Sequence, residues 1–273
     1  MSQNNAKEII FLGTGAADVT KYFNSCFYVK DGESGLLVDT GGGNGILTQL
    51  EKSNIPLEEI RYIYLTHKHI DHLLGIFWIL RILGSKISKG KAENLTIFCS
   101  ESLSGVIKEM SYKLLKKKVT DLFGTKILFD IITNDKEIDI NNWKIQCFDI
   151  QSTKDEQYGF RLEFADEKTF VNLGDEPYND KLEQYAKNSD YILHDAFCLE
   201  DDRDIFNPQK INHATVKEAA TNAANLETKN LILFHSEDKK TFGKRKELYS
   251  AEAKESFSGN VFVPDDLESI PLN

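Results

Sequence analysis

Residues 64–75 read YLTHKHIDHLLG and place three of the chain's six histidines within six consecutive positions, with an aspartate among them. An apolar, strand-like segment precedes this cluster and an apolar, helix-like segment follows it. Ligands of open α/β sheets usually lie at such junctions, beyond the carboxyl ends of strands. Because imidazole and carboxylate groups are ligands of zinc, iron and manganese, the stretch predicts a metal site.

The spacing within the cluster predicts two adjacent ions rather than one. His67 and His69 are two positions apart, which on an extended turn directs both rings to one side. Asp71 and His72 follow on the next bend and are directed to a neighbouring position. The pattern therefore supplies ligands for two positions.

Composition limits the classes of function. The chain has 273 residues, of which 41% are hydrophobic and 28% charged, and this is typical of a soluble globular protein. A net charge of −10 argues against a broad nucleic-acid surface, which needs a basic face, but leaves room for a small phosphorylated substrate. The N-terminus lacks signal-peptide features, and the most apolar run, residues 73–83, is too short to span a bilayer. We expect a soluble, cytoplasmic protein with no membrane partner.

Two strand-rich halves with helices outside them predict a single sandwich of two sheets. Hairpins are expected to turn at Asn141–Asn142 and at Asp166–Glu167. Helices are expected over residues 44–52, 72–84, 104–118 and 214–225. Gly84 is expected to end the second of these, and a capping box of Thr215 and Glu218 to begin the last. Because no low-complexity linker divides the chain, we expect one domain over residues 1–273, with a short helical insert at about 101–130.

THKHIDH resembles the signature of the metallo-β-lactamase superfamily, and further landmarks follow in order. LLVDTG resembles the early strand whose aspartate, here Asp39, supports the metal loop. NLGDEP resembles the strand that ends in the metal-bridging aspartate, here Asp175, and LILFHSED the strand that carries the last histidine ligand, here His235. The resemblance is closest to the ribonuclease Z branch, because FLGTGA, HDAF (194–197) and HATVKEAA (213–220) are similar to segments of that branch.

The resemblance implies an αββα four-layer sandwich of two mixed β-sheets flanked by helices. It assigns His67, His69 and Asp175 to a first metal position. A second position would take Asp71, His72, Asp175 and His235. Asp71 would also help to orient the attacking water. His213 would act as the proton donor to the leaving oxygen, oriented by Asp195. For His194, which ends an apolar strand, a structural role is favoured.

One landmark of the family is missing. The third histidine of the first metal position should follow the strand WKIQCFDI, but this chain has Gln151 there. A glutamine amide oxygen is a neutral and weak ligand compared with imidazole, and it disfavours zinc relative to harder ions. Asp149 has the same strand parity as Gln151 and is a candidate substitute after rearrangement. The sequence therefore predicts a complete second metal position and an impaired first one.

The family's tRNA-gripping arm is also missing. Members of the ribonuclease Z branch usually carry a long arm rich in glycine and proline, whereas this chain has five prolines and no comparable segment. Together with the acidic net charge, this makes tRNA a possible but unfavoured substrate. A small phosphodiester or nucleotide-type substrate is favoured, and a homodimer is possible by resemblance.

The expected function is that of a metal-dependent hydrolase, most simply a phosphodiesterase that acts through a metal-activated water. The expected cofactor is one or two zinc ions, with manganese or iron as alternatives. One competing hypothesis is a thioesterase or lactonase of the same fold. Another is a degenerate, single-metal binding or sensing module, which Gln151 favours.

Overall fold

The computed structural model describes residues 7–273, which divide into two compact units. The first unit contains residues 7–13, 23–132 and 266–273. The second contains residues 14–22 and 133–265. Each unit is built around one seven-stranded sheet.

The strands within residues 7–273 are numbered in chain order. They are β1 (Glu8–Gly13), β2 (Cys26–Asp31), β3 (Ser34–Val38), β4 (Tyr62–Tyr64), β5 (Leu95–Cys99), β6 (Ile127–Ile131), β7 (Glu137–Ile140), β8 (Trp143–Asp149), β9 (Tyr158–Glu163), β10 (Thr169–Asn172), β11 (Tyr191–Asp195), β12 (Asn230–Phe234), β13 (Asn260–Phe262) and β14 (Ser269–Pro271).

The α-helices of the same residues are α1 (Gly45–Lys52), α2 (Ile70–Leu73), α3 (Gly75–Ile87), α4 (Glu101–Leu114), α5 (Lys117–Thr120), α6 (Glu183–Ala186), α7 (Arg203–Phe206), α8 (Val216–Asn225) and α9 (Arg245–Ser256). None of these helices is long and apolar enough to cross a membrane.

The sheet of the first unit is mixed, with strand order β14-β1-β2-β3-β4-β5-β6. Its first four strands in that order pair antiparallel, and β3 to β6 pair parallel. Helices α1, α3 and α4 bury Ile46, Leu80 and Ile107 in one core with the sheet residues. Each such aliphatic side chain contributes about 1.5–3 kcal/mol when it leaves water.

The sheet of the second unit is also mixed, with strand order β13-β12-β11-β10-β9-β8-β7. Strands β7 to β10 pair antiparallel, and β10 to β13 pair parallel. Helices α8 and α9 cover this sheet and bury Ala219, Ala220 and Tyr249 in its core. The small alanine side chains allow the backbone of α8 to approach its neighbours closely.

Both predicted hairpin turns are confirmed. β7 and β8 meet through Asn141–Asn142, where Asn141 has a φ of 55°. β9 and β10 are joined through Glu167, with a φ of 65°. The capping box at the start of α8 is confirmed as well, because Thr215 and Glu218 each accept the other's backbone N–H.

Two predicted helix boundaries were wrong. Residues 104–118 do not form one helix, because α4 ends at Leu114 and α5 begins at Lys117. Within the expected insert at 101–130, residues 127–131 are the edge strand β6, which pairs with β5. The helix expected to end at Gly84 continues to Ile87. Gly84 serves packing instead, because a Cβ at this position would lie 2.7 Å from Cγ1 of Val119.

Replacing glycine by alanine at two helical positions separates the effect of packing on the free energy of unfolding from the effect of helix propensity. Gly105 lies in α4, and a Cβ there meets no described atom within 4 Å. Gly105→Ala is therefore expected to raise the free energy of unfolding by about 0.5–1 kcal/mol. Gly84→Ala is expected to lower it by about 1–2 kcal/mol, because overpacking against the buried Val119 outweighs the propensity gain. Urea unfolding followed by circular dichroism measures both; a Gly84→Ala protein as stable as Gly105→Ala would contradict the packing role.

Candidate metal centre

Residues 66–72, which contain the histidine cluster and are called the metal loop below, lie at one edge of the sheet of the first unit. β3 and β4 are parallel neighbours, so their carboxyl ends meet at the same edge. Asp39 directly follows β3, and the segment 66–72 follows β4. The sheet therefore brings Asp39 to the histidine cluster.

Asp39 is buried and holds both ends of the loop. Its Oδ1 accepts the backbone N–H of Thr66 at 2.9 Å, and its Oδ2 accepts the Thr66 hydroxyl at 2.8 Å. The same Oδ2 lies 2.8 Å from Nδ1 of His72. Asp39 has a φ of 55°, a left-handed conformation that aspartate tolerates better than most residues.

These contacts fix the tautomers of two histidines. The Thr66 hydroxyl has one proton and donates it to Asp39, so it accepts from Nδ1 of His67, 2.8 Å away. An ionised Asp39 can only accept, so Nδ1 of His72 carries a proton as well. Both rings therefore present the Nε2 lone pair, which is how a carboxylate or hydroxyl prepares an imidazole to ligate a metal.

The imidazoles of this unit lie close to one another and to Asp71. The His67 ring centroid lies 4.4 Å from that of His69 and 4.3 Å from that of His72. Nε2 of His72 is 3.3 Å from Oδ2 of Asp71. Two lone-pair acceptors at this distance repel each other unless a proton or a cation is shared between them. Imidazole and carboxylate donors suit divalent ions of the zinc, manganese or iron type.

The second unit assembles its residues in the same way. β10, β11 and β12 are parallel neighbours. Asp175 follows β10, Asp195 ends β11 and His235 follows β12, so all three lie at one sheet edge. His235 has a φ of 57°, which turns the chain sharply at this point.

His235 lies between two carboxylates. Its Nε2 is 3.4 Å from Oδ2 of Asp175, and its Nδ1 is 3.5 Å from Oδ1 of Asp195. Gln157, buried beside it, donates from Nε2 to Oδ1 of Asp175 at 2.6 Å. Asp175 and His235 thus lie side by side, and the Gln157 amide holds the Asp175 carboxylate.

His213 lies next to Asp195. Its Nδ1 lies 3.3 Å from Oδ1 of Asp195. The imidazole stacks between the rings of Phe197, with centroids 5.2 Å apart, and His235, with centroids 4.9 Å apart. The side chain is 12% exposed, so it is oriented but remains accessible. Ligand atoms of Asp195, His213 and His235 all lie within 4.8 Å of one another.

Asp195 is held in its ionised form. Its burial would raise the pKa of this carboxyl. The adjacent imidazoles of His213 and His235 act in the opposite direction, and the pKa lies below its ordinary value. The other carboxylate oxygen accepts the backbone N–H of Ala214 at 2.6 Å. An ionised Asp195 facing Nδ1 of His213 at 3.3 Å favours a proton on that nitrogen and leaves Nε2 of the ring for proton exchange.

His194 and Gln151 lie outside these clusters. His194 is fully buried, and its ring nitrogens contact the Asp195 carbonyl at 2.7 Å and the Asn222 amide at 3.1 Å, which is a structural environment. Gln151 is exposed in the loop after β8, with a φ of 62°. Its backbone N–H donates to Oδ1 of Asp149 at 2.7 Å.

Two residues that hold other side chains of the site in place were not predicted from the sequence. Thr66, which links Asp39 to His67, could have been noticed because it directly precedes the first histidine. Gln157 gave no signal, because a lone glutamine in a polar loop has no pattern that distinguishes it. Its partner Asp175 lies 18 positions away.

Comparison with solved structures defines the class of protein. The metallo-β-lactamase fold protein YhfI from Bacillus subtilis is 21% identical and superposes with a TM-score of 0.78, covering 97% of this chain and 99% of that one. The short form of human tRNase Z is 20% identical with a TM-score of 0.75, at the same coverage of both chains. The chain therefore has the metallo-β-lactamase fold, and the predicted sandwich of two mixed sheets is confirmed.

Sequence comparison gives the family. Ribonuclease Z of Bacillus mycoides (strain KBAB4) is 25% identical over 97% of this chain and 99% of its own length. This confirms the resemblance to the ribonuclease Z branch and places the chain among the metallo-hydrolases of the β-lactamase superfamily. The family described as anti-Pycsar protein Apyc1 matches residues 7–254, and the chain belongs to it.

Proposed function

We propose that this chain is a metal-dependent phosphodiesterase that cleaves a small nucleotide-type phosphodiester. The observation that carries the proposal is His213, a largely buried but still accessible imidazole that Asp195 orients through Nδ1 beside His235. A phosphodiester needs a proton donor for its leaving alkoxide, and this imidazole is suited to that role. Ribonuclease Z, to which the chain is similar, is by its name an enzyme that acts on RNA.

The proposed metal ligands are those of the sequence analysis. His67, His69 and Asp175 would form the first position, and Asp71, His72, Asp175 and His235 the second. When bound, the ions would neutralise phosphoryl oxygens and activate a water for attack. Asp71 would orient that water, and Asp39 would keep the imidazoles in their ligating tautomers. The first position would be weaker, because Gln151 offers at most a neutral amide oxygen.

A small substrate is favoured over tRNA by the length of the chain. The alignment with Ribonuclease Z of Bacillus mycoides spans 323 positions, although it contains 97% of 273 residues, which is about 265. At least about 58 positions are therefore gaps in this chain, enough for the arm that it lacks. A phosphodiester that fits the metal centre needs no such arm.

The function is tested with purified full-length chain loaded in turn with zinc, manganese and iron. We expect hydrolysis of bis-p-nitrophenyl phosphate and of at least one small nucleotide diester, from a panel of cyclic mononucleotides and dinucleotides. Asp71→Asn is expected to lower kcat/KM at least about 100-fold, whereas the exposed control Asp201→Asn leaves it unchanged. Activity confined to thioesters, lactones or precursor tRNA, or no activity with any metal, would refute the proposal.

The impaired first position is tested by changing one donor atom. Histidine tolerates the left-handed conformation of Gln151, so Gln151→His is expected to fold normally. We expect it to bind a second ion per chain and to raise kcat. Gln151→Asn, which also tolerates this backbone but has no imidazole, is the control. Metal content per chain, measured by inductively coupled plasma mass spectrometry, distinguishes them; an equal content in the two variants would show that Gln151 causes no impairment.

The role of His213 is tested through the leaving group. A p-nitrophenolate leaves without a proton, whereas the alkoxide of a ribose does not. His213→Ala is therefore expected to lower kcat about 10²–10⁴-fold for a dinucleotide and much less for bis-p-nitrophenyl phosphate. Steady-state kinetics on both substrates measure the difference. An equal loss on both would show that His213 positions the site rather than donating a proton.

A further inference from the structure

A groove on the first unit is lined by an unusual density of positive charge. Its volume is about 430 Å³, and its walls are the end of α3, the turn after it and the segment that joins α4 to α5. Six of the ten lining residues are cationic, namely Arg81, Lys86, Lys89, Lys91, Lys116 and Lys118. Within the described chain, none of the lining residues is an aspartate or a glutamate. This is unexpected in a protein with a net charge of −10.

Most of this charge is not neutralised by the protein. Lys86 forms an ion pair with Glu58 at 2.6 Å, and Lys118 donates to the Ser85 hydroxyl at 3.0 Å. The other four cations form no ion pair with a described residue. Like charges placed around one groove repel each other, and an anion between them relieves that repulsion.

Stabilisation of α3 does not explain the whole cluster. Lysines near the C-terminus of a helix interact favourably with its dipole, and this accounts for Lys86 and Lys89. Arg81 lies six residues before the last residue of α3, outside the range of that effect. Lys116 and Lys118 belong to a different segment of the chain. The fold therefore brings positive charge to the groove from two separate segments.

The groove also has an apolar surface between its charges. Ile82, Leu115 and Val119 line it; Val119 is buried, with 2% exposure, so the half-buried Ile82 and Leu115 supply the accessible apolar surface. A volume of this size is within the usual range for small-molecule sites, which is about 300–1,000 Å³. An apolar surface within a cationic rim suits a ligand with a flat apolar body and several negative charges. A nucleic-acid backbone would use the cations but not the apolar surface.

We propose that this groove binds a nucleoside polyphosphate, with the base on Ile82 and Leu115 and the phosphates on the lysines. The site is distinct from the metal centre, because none of the candidate metal ligands lines it. The proposal that the groove binds a nucleotide does not depend on the proposal that the metal centre is a phosphodiesterase. The groove and the metal loop are joined through α3, which begins three residues after His72.

Calorimetric titration of the full chain with ATP tests the proposal, with the buffer free of divalent metal so that the metal centre does not capture phosphate. We expect saturable binding that weakens as salt rises, with adenosine and inorganic triphosphate each at least tenfold weaker than ATP. No saturable ATP binding would overturn the proposal. Triphosphate as tight as ATP would overturn the role of the apolar surface, and binding of a structured RNA without ATP would overturn the assignment to a small molecule.

Charge-reversal variants locate the binding. The triple variant Lys89→Glu, Lys91→Glu, Lys116→Glu is expected to weaken ATP binding at least tenfold. A matched control reverses three exposed lysines elsewhere, Lys126→Glu, Lys210→Glu and Lys254→Glu, and is expected to stay within twofold of the unmodified chain. Should the first triple variant fold poorly, the glutamine version of the same three changes is expected to show a smaller loss in the same direction. Equal losses in the groove and control variants would place binding outside the groove.

Discussion

The carboxylate of Asp39 is the contact on which the metal loop of the first unit depends. It is 5% exposed, and burial of a charge is unfavourable unless donors surround it. Thr66 and His72 supply those donors from the two ends of the loop. Because both ends are held by one carboxylate, the backbone between them has little freedom. The positions of His67 and His69 follow from this constraint.

In the second unit, too, a buried carboxylate at the edge of the sheet faces the imidazoles of the site. Asp195 ends a parallel strand, is 1% exposed and faces Nδ1 of both His213 and His235. A carboxylate whose pKa is lowered stays ionised and can only accept, so it favours one tautomer in each ring it contacts. Parallel strands make this possible, because their carboxyl ends bring residues distant in sequence to one edge. The carboxylate at the edge of each sheet thus favours one tautomer of the neighbouring imidazoles before any ligand binds.

Local patterns in the sequence predicted much of the fold. Apolar runs, the Asn141–Asn142 turn and the Thr215 capping box depend on neighbouring residues, so the sequence displays them. Gly84 and Gln157 could not be interpreted in this way, because their roles arise from partners 35 and 18 positions away. The basic groove was missed for the same reason. Its charges come from two segments, each of which alone is typical of a solvated helix end.

At Gln151 the backbone conformation and the donor atom of the side chain have to be considered separately. Its left-handed backbone suits histidine as well, so a histidine here requires no change of fold. Its N–H closes a turn on Oδ1 of Asp149. Gln157 acts differently, because it donates to Asp175 and occupies only one of the carboxylate's lone pairs. In the proposed site, the strength of the first position would depend on the donor atom at residue 151.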